Sequence, residues 1–282
     1  MTLMERIMRM IDELSPLPAT APRLAEALAD PGASVGDIAA MIEYDQALTL
    51  DILKYANSAA FASSRTIATV KDAVIRLGGA RILERVVGRH VKGSLCPPLA
   101  SYGYAEEDLW RHSVAAAVAA EELGTFTKQA SSGLSFTAAL LHDIGKLVLT
   151  RAAPLESMEM VFKLVFADSR THTCEEAERD IFGFSHADIG ASIALSWNLP
   201  ETIVEAIRRH HSADPACGPV TDAVRVANIA ARSIGEGIGR EGMSLSADAG
   251  LSLRVNITRE QFEALCAHTR RRLQTVMTMF DR

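Results

Sequence analysis

Residues 138–146 read Ala-Ala-Leu-Leu-His-Asp-Ile-Gly-Lys and place the adjacent pair His142 and Asp143 inside an apolar run. We predict that this run belongs to a helix over residues 134–151. An unpaired buried charge costs several kcal/mol, so polar side chains here require partners. Neighbouring helical residues point about 100° apart, so both side chains can reach one large ion or bridge two ions. Lys146 follows on a neighbouring face, where its ammonium can meet an anion bound to that metal. On its own, a His-Asp pair more often indicates a capped or salt-bridged structural pair.

Further histidines fall at predicted helix positions from which they can converge on this pair. They are His112, with Asp108 one turn earlier, in a helix predicted over 105–124; His186, which opens a helix predicted over 186–197; and His210 and His211, which end a helix predicted over 200–211. A set of imidazoles and a carboxylate suits iron, manganese, nickel or zinc better than magnesium or calcium. One or two such ions would lower the pKa of bound water and hold a phosphoryl oxygen. The alternative is a polar cluster that is hydrogen-bonded internally and no longer catalytic.

Outside this region the sequence also predicts helices joined by turns. Residues 1–98 show about six short apolar repeats at helical spacing, and Cys96-Pro97-Pro98 marks a boundary. We therefore expect an N-terminal helical lobe over residues 1–98 and a second helical domain over 99–282. Longer helices are predicted in the second part, with the glycine-rich stretch 235–250 as a loop that carries a short turn. Ser34 with Asp37, Thr173 with Glu176, and Thr258 with Gln261 have the spacing of capping boxes.

Composition favours an all-α protein of the cytoplasm. Hydrophobic residues make up 48% of the 282 residues and aromatics only 5%, so the apolar side chains are mainly aliphatic, which favours packed helices. The chain has 29 basic and 35 acidic residues, and its net charge of −6 argues against a nucleic-acid partner. Its four cysteines form no CxxC pair and are typical of reduced thiols. No apolar stretch of about 18 residues is free of charge, so we expect no membrane span.

The order of the histidines resembles that of the HD superfamily of metal-dependent phosphohydrolases. Three longer phrases are similar to its HDOD subgroup in particular: residues 42–61 (IEYDQALTLDILKYANSAAF), 66–82 (TIATVKDAVIRLGGARI) and 183–211 (GFSHADIGASIALSWNLPETIVEAIRRHH). Together the similar phrases span roughly residues 10–235, which is most of the chain. The resemblance implies an all-α, HD-type helical bundle with an N-terminal helical lobe. It also implies a role in signal transduction, because HDOD proteins act beside receiver domains and other signalling modules.

Comparison with the HD-GYP branch, which hydrolyses cyclic dinucleotides, assigns roles to individual residues. It implies that the metal ligands are His112, His142, Asp143, His186, His210 and His211, with Asp108 and Asn228 as further candidates. Lys146 stands where that branch has a substrate-contacting lysine, and Lys146 and Asp143 are therefore the candidate catalytic residues. Two departures count against catalysis. Asn228 stands where HD enzymes have a final metal-binding aspartate, and no GYP motif follows His211.

These observations predict a bacterial signalling output module with a partly degenerate metal site. We expect it to act through a signalling protein partner or a ligand, without nucleic acid or membrane. The alternative is a metal-dependent phosphohydrolase that acts on a nucleotide or another phosphoester. The retained ligand positions favour this alternative, whereas the missing aspartate and the missing GYP motif favour the output module.

Overall fold

A computed structural model describes residues 1–58, 61, 66–127, 133–167, 172–241 and 249–280. In these ranges the regular structure is helical throughout, and the only strand-like pairing is an isolated bridge between Leu99 and Tyr104. The predicted all-α class is therefore confirmed. None of the described helices combines the length and the apolar character needed to cross a bilayer.

Six helices lie in the described part of the region predicted as the N-terminal lobe. They are α1 (Leu3–Glu13), α2 (Thr20–Ala29), α3 (Val35–Glu43), α4 (Gln46–Ala56), α5 (Val70–Leu77) and α6 (Gly79–Leu95). The remaining helices are α7 (Asp108–Phe126), α8 (Ser135–Leu141), α9 (Gly145–Ala152), α10 (Leu155–Ala167), α11 (Cys174–Phe182), α12 (His186–Ser196), α13 (Glu201–Arg208), α14 (Pro219–Ser233), α15 (Ala249–Val255) and α16 (Arg259–Phe280). Part of the predicted loop over 235–250 lies outside the described residues; in the described part, 235–241 forms turns and α15 begins at Ala249.

Capping side chains set where several of these helices begin. The boxes predicted at Ser34 and Thr173 are formed, because each hydroxyl accepts the backbone N–H three residues later and the acidic side chain there accepts in return. A further box joins Ser185 and Asp188 at the start of α12. Since this cap satisfies the first free N–H groups of the helix, it fixes His186 as the first residue of α12.

The helix predicted over residues 134–151 is wrong in one respect: it is interrupted at His142–Ile144. The backbone stays in the right-handed region, but its bonds shorten to the i→i+3 pattern, with Ile144 N bonded to Leu141 O at 3.0 Å and Lys146 N to Asp143 O at 3.0 Å. A tighter turn of this kind nearly eclipses side chains three residues apart. The interruption therefore places the Lys146 and Asp143 side chains beside each other.

Helix α7 forms the centre of the structure, where it packs against α8, α14 and α16. Its alanines from Ala115 to Ala117 and at 119–120 are buried, and such small side chains let neighbouring helices approach closely. Buried apolar residues from the whole described chain form one continuous cluster. The division at residues 98 and 99 stays a prediction.

Gly145 allows α9 to pack closely against α12 beside the candidate site. A β-carbon at this position would overlap the carbonyl oxygen of His186 and lie 2.7 Å from the backbone nitrogen of Gly190. Only glycine therefore permits α9 and α12 to pack at this separation, which brings the start of α12 next to Asp143.

Candidate metal centre

Asp143 lies at the centre of two groups of histidines. Its Oδ2 atom is 3.4 Å from Nε2 of both His112 and His142. Its Oδ1 atom is 3.3 Å from His186 Nε2 and 3.7 Å from His210 Nε2. His211 joins the second group through its Nε2 atom, 3.1 Å from that of His186. The structure therefore brings together all six residues that the sequence singled out as principal ligands, with one carboxylate shared between two potential ion positions.

The ring orientations are fixed by partners on the far side of the rings. The Nδ1 atoms of His112, His142 and His210 lie 3.1, 2.6 and 2.7 Å from the carbonyl oxygens of residues 236, 139 and 207. Because a carbonyl oxygen only accepts, each Nδ1 carries a proton, which leaves Nε2 as the ring atom that faces Asp143 and can bind a metal. Metal-binding histidines commonly donate their other ring N–H to a carbonyl or carboxylate in this way.

Two features of this arrangement fit a bound cation. The Nε2 atoms of His112 and His142 lie 3.2 Å apart, a separation that a shared proton or one bound metal ion can bridge. Two nitrogens bound about 2.1 Å from one ion at ordinary angles are separated by roughly 3.0–3.4 Å. In addition, Asp143 Oδ1 and His210 Nε2 are buried without a hydrogen-bond partner among the described residues. These two atoms belong to the group of ligand atoms that lie within 4.8 Å of one another, so the donor set fits a bound metal ion.

Glu178 on α11 holds His186 in place. Its carboxylate accepts hydrogen bonds from His186 Nδ1 at 2.7 Å, from the backbone N–H of His186 at 2.7 Å and from the Tyr102 hydroxyl at 2.6 Å. Glu178 and His186 are fully buried. Sequence reasoning missed Glu178. The available signal was its spacing from Cys174 and Ala177, which places a carboxylate on the buried face of the helix.

The electrostatics keep Asp143 ionised and three of the histidines neutral, as metal binding requires, whereas His186 has to release a proton before it binds a metal. Burial would raise the pKa of Asp143, but His142 and Lys146 hold it well below its usual range, so this carboxyl is ionised. Burial lowers the pKa values of His112, His210 and His211, so these rings are neutral. His186 differs: burial acts to lower its pKa, but the Glu178 carboxylate raises it to about 10.

Lys146 makes contacts that the sequence did not predict. It is fully buried, with Nζ 2.9 Å from Asp143 Oδ2 and 2.5 Å from Glu241 Oε1, and Glu241 also pairs with Arg232. Burial would raise the pKa of Glu241, but Lys146 and Arg232 lower it to about 2. Glu241 and Arg232 are therefore residues of this centre that sequence reasoning missed. No local pattern identifies Glu241, because it lies in a glycine-rich loop far along the chain.

Residues 235–241 bring Glu241 to the centre by packing across His112. Gly237 has a φ of +77°, and a β-carbon there would overlap the His112 ring. Tyr104 donates a hydrogen bond to the Gly237 carbonyl at 3.2 Å, and the Arg240 N–H donates to the Tyr102 carbonyl at 2.7 Å. This segment covers the first histidine group.

Asp108 and Asn228, the further ligand candidates, have different surroundings. Asp108 lies outside both groups, and its carboxylate accepts the backbone N–H of Ala105 at 2.7 Å at the start of α7. Asn228 is buried on α14, and its side-chain oxygen has no hydrogen-bond partner among the described residues.

A cleft of about 660 Å³ leads from the surface to His211, the one partly exposed member of the two groups. Basic and acidic side chains line it, including Arg179, Arg208, Arg209, Arg225, Glu175, Glu176 and Asp188. Arg179 forms ion pairs with Glu175 at 2.9 Å and Asp188 at 2.8 Å. Charged ligands can therefore approach the second histidine group from this side.

Comparison with known proteins identifies the family and the fold. The HDOD domain profile matches residues 14–213. A protein of Treponema pallidum (strain Nichols) is 31% identical over 230 residues, which cover 79% of this chain but only 43% of that protein. Among solved structures, an HDOD domain protein from Geobacter sulfurreducens superposes with a TM-score of 0.67 at 24% identity, covering 99% of this chain and 96% of its own. A protein from Marinobacter aquaeolei VT8, named as a signal transduction protein, gives 0.68 at 24% identity over 96% of this chain and 60% of its own. The chain thus spans less than two thirds of the length of the first and last of these relatives.

Proposed function

Because this chain belongs to the HDOD domain family, we propose that it is a signalling output module whose Asp143 and five histidines hold one or two divalent transition-metal ions. The observation that carries this proposal is the convergence of histidine Nε2 atoms on the two oxygens of one buried carboxylate. We expect the module to act through a signalling protein partner, with the metal centre as a structural or regulatory element.

The metal would be held by nitrogen donors and a shared carboxylate, a set that suits iron, manganese, nickel or zinc. Such an ion, when bound, polarises a phosphoryl oxygen and lowers the pKa of its water. The residues of this chain orient the donors: backbone carbonyls accept from Nδ1 of three imidazoles, and the Glu178 carboxylate orients the ring of His186.

Three features favour a binding role over turnover. Asn228 supplies a neutral amide where an HD enzyme is expected to supply a carboxylate. Lys146, the candidate substrate contact, is already paired with Glu241. Five of the six candidate ligands are at most 2% exposed, and the cleft described above reaches the centre at His211, the sixth.

The alternative, a metal-dependent phosphohydrolase, draws support from the arginine-lined cleft beside His211. Arginine guanidinium groups match the geometry of phosphate oxygens. A screen of phosphoesters with the metal-loaded protein distinguishes the two functions, since metal-dependent release of phosphate that is lost in Asp143→Asn would establish the enzyme.

The experiment that tests the proposal is elemental analysis of the purified protein after supply of iron, manganese, nickel or zinc. We expect about one or two ions per chain in the wild type and loss of metal in His142→Ala/Asp143→Ala. His268→Ala is the matched control, because His268 is a partly exposed histidine that lies outside both groups. Thermal unfolding monitored by circular dichroism checks that each variant is folded. The absence of stoichiometric metal from the wild type under all four conditions would refute the proposal.

A further inference from the structure

Two buried cations, Lys146 on α9 and Arg232 on α14, converge on the carboxylate of Glu241. Lys146 is fully buried, and Arg232 and Glu241 are 5% and 4% exposed. Each cation contacts a different oxygen of that carboxylate: Lys146 Nζ lies 2.5 Å from Oε1, and the Arg232 guanidinium pairs with Oε2. Water is nearly excluded from all three groups, so the cations depend on an anion at this position.

This cationic pair is adjacent in space to the candidate metal ligands. Lys146 Nζ is also 2.9 Å from Asp143 Oδ2, the oxygen that faces His112 and His142. The rings of Tyr102 and Tyr104 lie 5.4 and 5.6 Å from Nζ and complete its surroundings. An anion held by Lys146 and Arg232 would therefore lie next to the first histidine group.

We propose that Glu241 is an internal ligand: its carboxylate occupies the anion position between Lys146 and Arg232 and competes there with a phosphoryl group. A lysine ammonium and an arginine guanidinium are the side chains that bind phosphate oxygens most strongly. A phosphoryl group offers one oxygen to each cation, as the Glu241 carboxylate does, and a third oxygen towards the metal centre.

The charge balance of the centre supports an exchange of this kind. In the absence of an ion, Asp143 and Glu241 neutralise Lys146 and Arg232. A divalent ion beside Asp143 would leave a surplus of positive charge in a buried volume, which an additional anion would offset. The inference deepens the proposed function and rests on it for this coupling to the metal, whereas the anion site itself can be tested without metal.

The test measures the binding of inorganic phosphate by isothermal titration calorimetry and by thermal shift, with sodium chloride at equal ionic strength as the reference. The variants are Glu241→Ala, which opens the site, and Glu241→Gln, which preserves its size and removes the charge. Glu236→Gln is the matched control, because Glu236 lies on the same segment but pairs with Arg111. Each protein is measured after treatment with a chelator and again after loading with metal.

We expect both Glu241 variants to bind phosphate at least tenfold more tightly than the wild type and Glu236→Gln, and phosphate to restore part of their lost melting temperature. Addition of Arg232→Gln to Glu241→Gln should abolish this gain. Equal phosphate affinity in the wild type and in both Glu241 variants would overturn the site. Acetate binding as tight as phosphate binding would overturn the ligand class. The two proposals can fail separately. If the chelator-treated Glu241 variants bind phosphate tightly but the protein takes up no metal, the anion site is supported and the proposed metal function is refuted.

Discussion

Glu84 provides a test of the electrostatics at a position far from the metal centre. It lies on α6, is only 6% exposed, and faces charged groups on α6, α7 and α16. Burial together with the nearby Glu121 carboxylate raises the pKa of Glu84 to about 8, against opposing effects of Arg81 and Arg272. Tyr55 and Arg85 line the same small cavity. A buried carboxyl of this kind is protonated in the folded protein at neutral pH.

The direction of the pH dependence follows from this shift. Since the folded-state pKa exceeds the ordinary value of 4.5, the folded protein binds a proton that the unfolded chain releases. The resulting stabilisation is complete below about pH 4.5 and is lost as the pH rises towards 8. Each pH unit in this window corresponds to about 1.4 kcal/mol, so the full loss is at most about 5 kcal/mol. This is a large part of the 5–15 kcal/mol that is typical of unfolding free energies.

Glu84→Gln keeps the size and the neutral polar character of the protonated side chain but cannot ionise. The wild type should lose stability as the pH rises, whereas the variant should not. We therefore expect the free energy of unfolding of the variant, minus that of the wild type, to increase by about 3–5 kcal/mol between pH 5 and pH 9. Urea denaturation followed by circular dichroism at pH 5, 7 and 9 measures this difference. Glu13→Gln is the control, since that carboxylate is 61% exposed and solvent screens it in both states. A difference that stays constant with pH would show that Glu84 is ionised and paired with the arginines.

Two substitutions test how the metal centre is positioned. Glu178→Gln should weaken metal affinity about 10- to 100-fold at fixed pH, because it removes the anionic partner of His186. Competition with a chelator measures the affinity, with Asp180→Asn, at an exposed carboxylate, as the control. Equal affinities of the two variants would contradict the prediction. Gly145→Ala should destabilise the fold by about 1–3 kcal/mol or more and reduce metal content, because the added methyl overlaps the backbone of His186. Gly93→Ala is the control, because a β-carbon there meets no atom within 4 Å, and it should leave stability unchanged or higher. Equal shifts in melting temperature for Gly145→Ala and Gly93→Ala would refute the steric argument.

Local patterns predicted most of the helices because the signals that form them are local. The capping boxes predicted at Ser34 and Thr173 are formed, and α3 and α11 begin at the residues that follow them. The interruption at His142–Ile144 could not be predicted, because an apolar run gives no indication of a change from i→i+4 to i→i+3 bonding. That change depends on the packing of Gly145 against α12, which is a long-range contact.

The same distinction explains which parts of the site were found. The histidines and Asp143 were identified by residue type and order, and the structure brings them together. The pairing of Lys146 with Glu241 joins residues almost a hundred positions apart across a loop without a recognisable motif. Residue type suggested that Lys146 contacts an anion, but only the packing of residues 235–241 over His112 shows that the chain supplies that anion.

Asn228 links the anion site, the metal centre and the cleft. Arg225, Asn228 and Arg232 follow one another at helical spacing on α14 and so share a face. Arg225 lines the cleft beside His211, and Arg232 pairs with Glu241 beside Lys146, so Asn228 lies along the path between them. A buried amide oxygen without a partner costs about 1–3 kcal/mol. The amide adds no negative charge to the centre. A metal centre with Asp143 as its shared carboxylate and a neutral side chain at position 228 therefore retains more positive charge than an enzyme with an aspartate there. That surplus favours tight retention of an anion such as Glu241 or phosphate over the release that turnover requires.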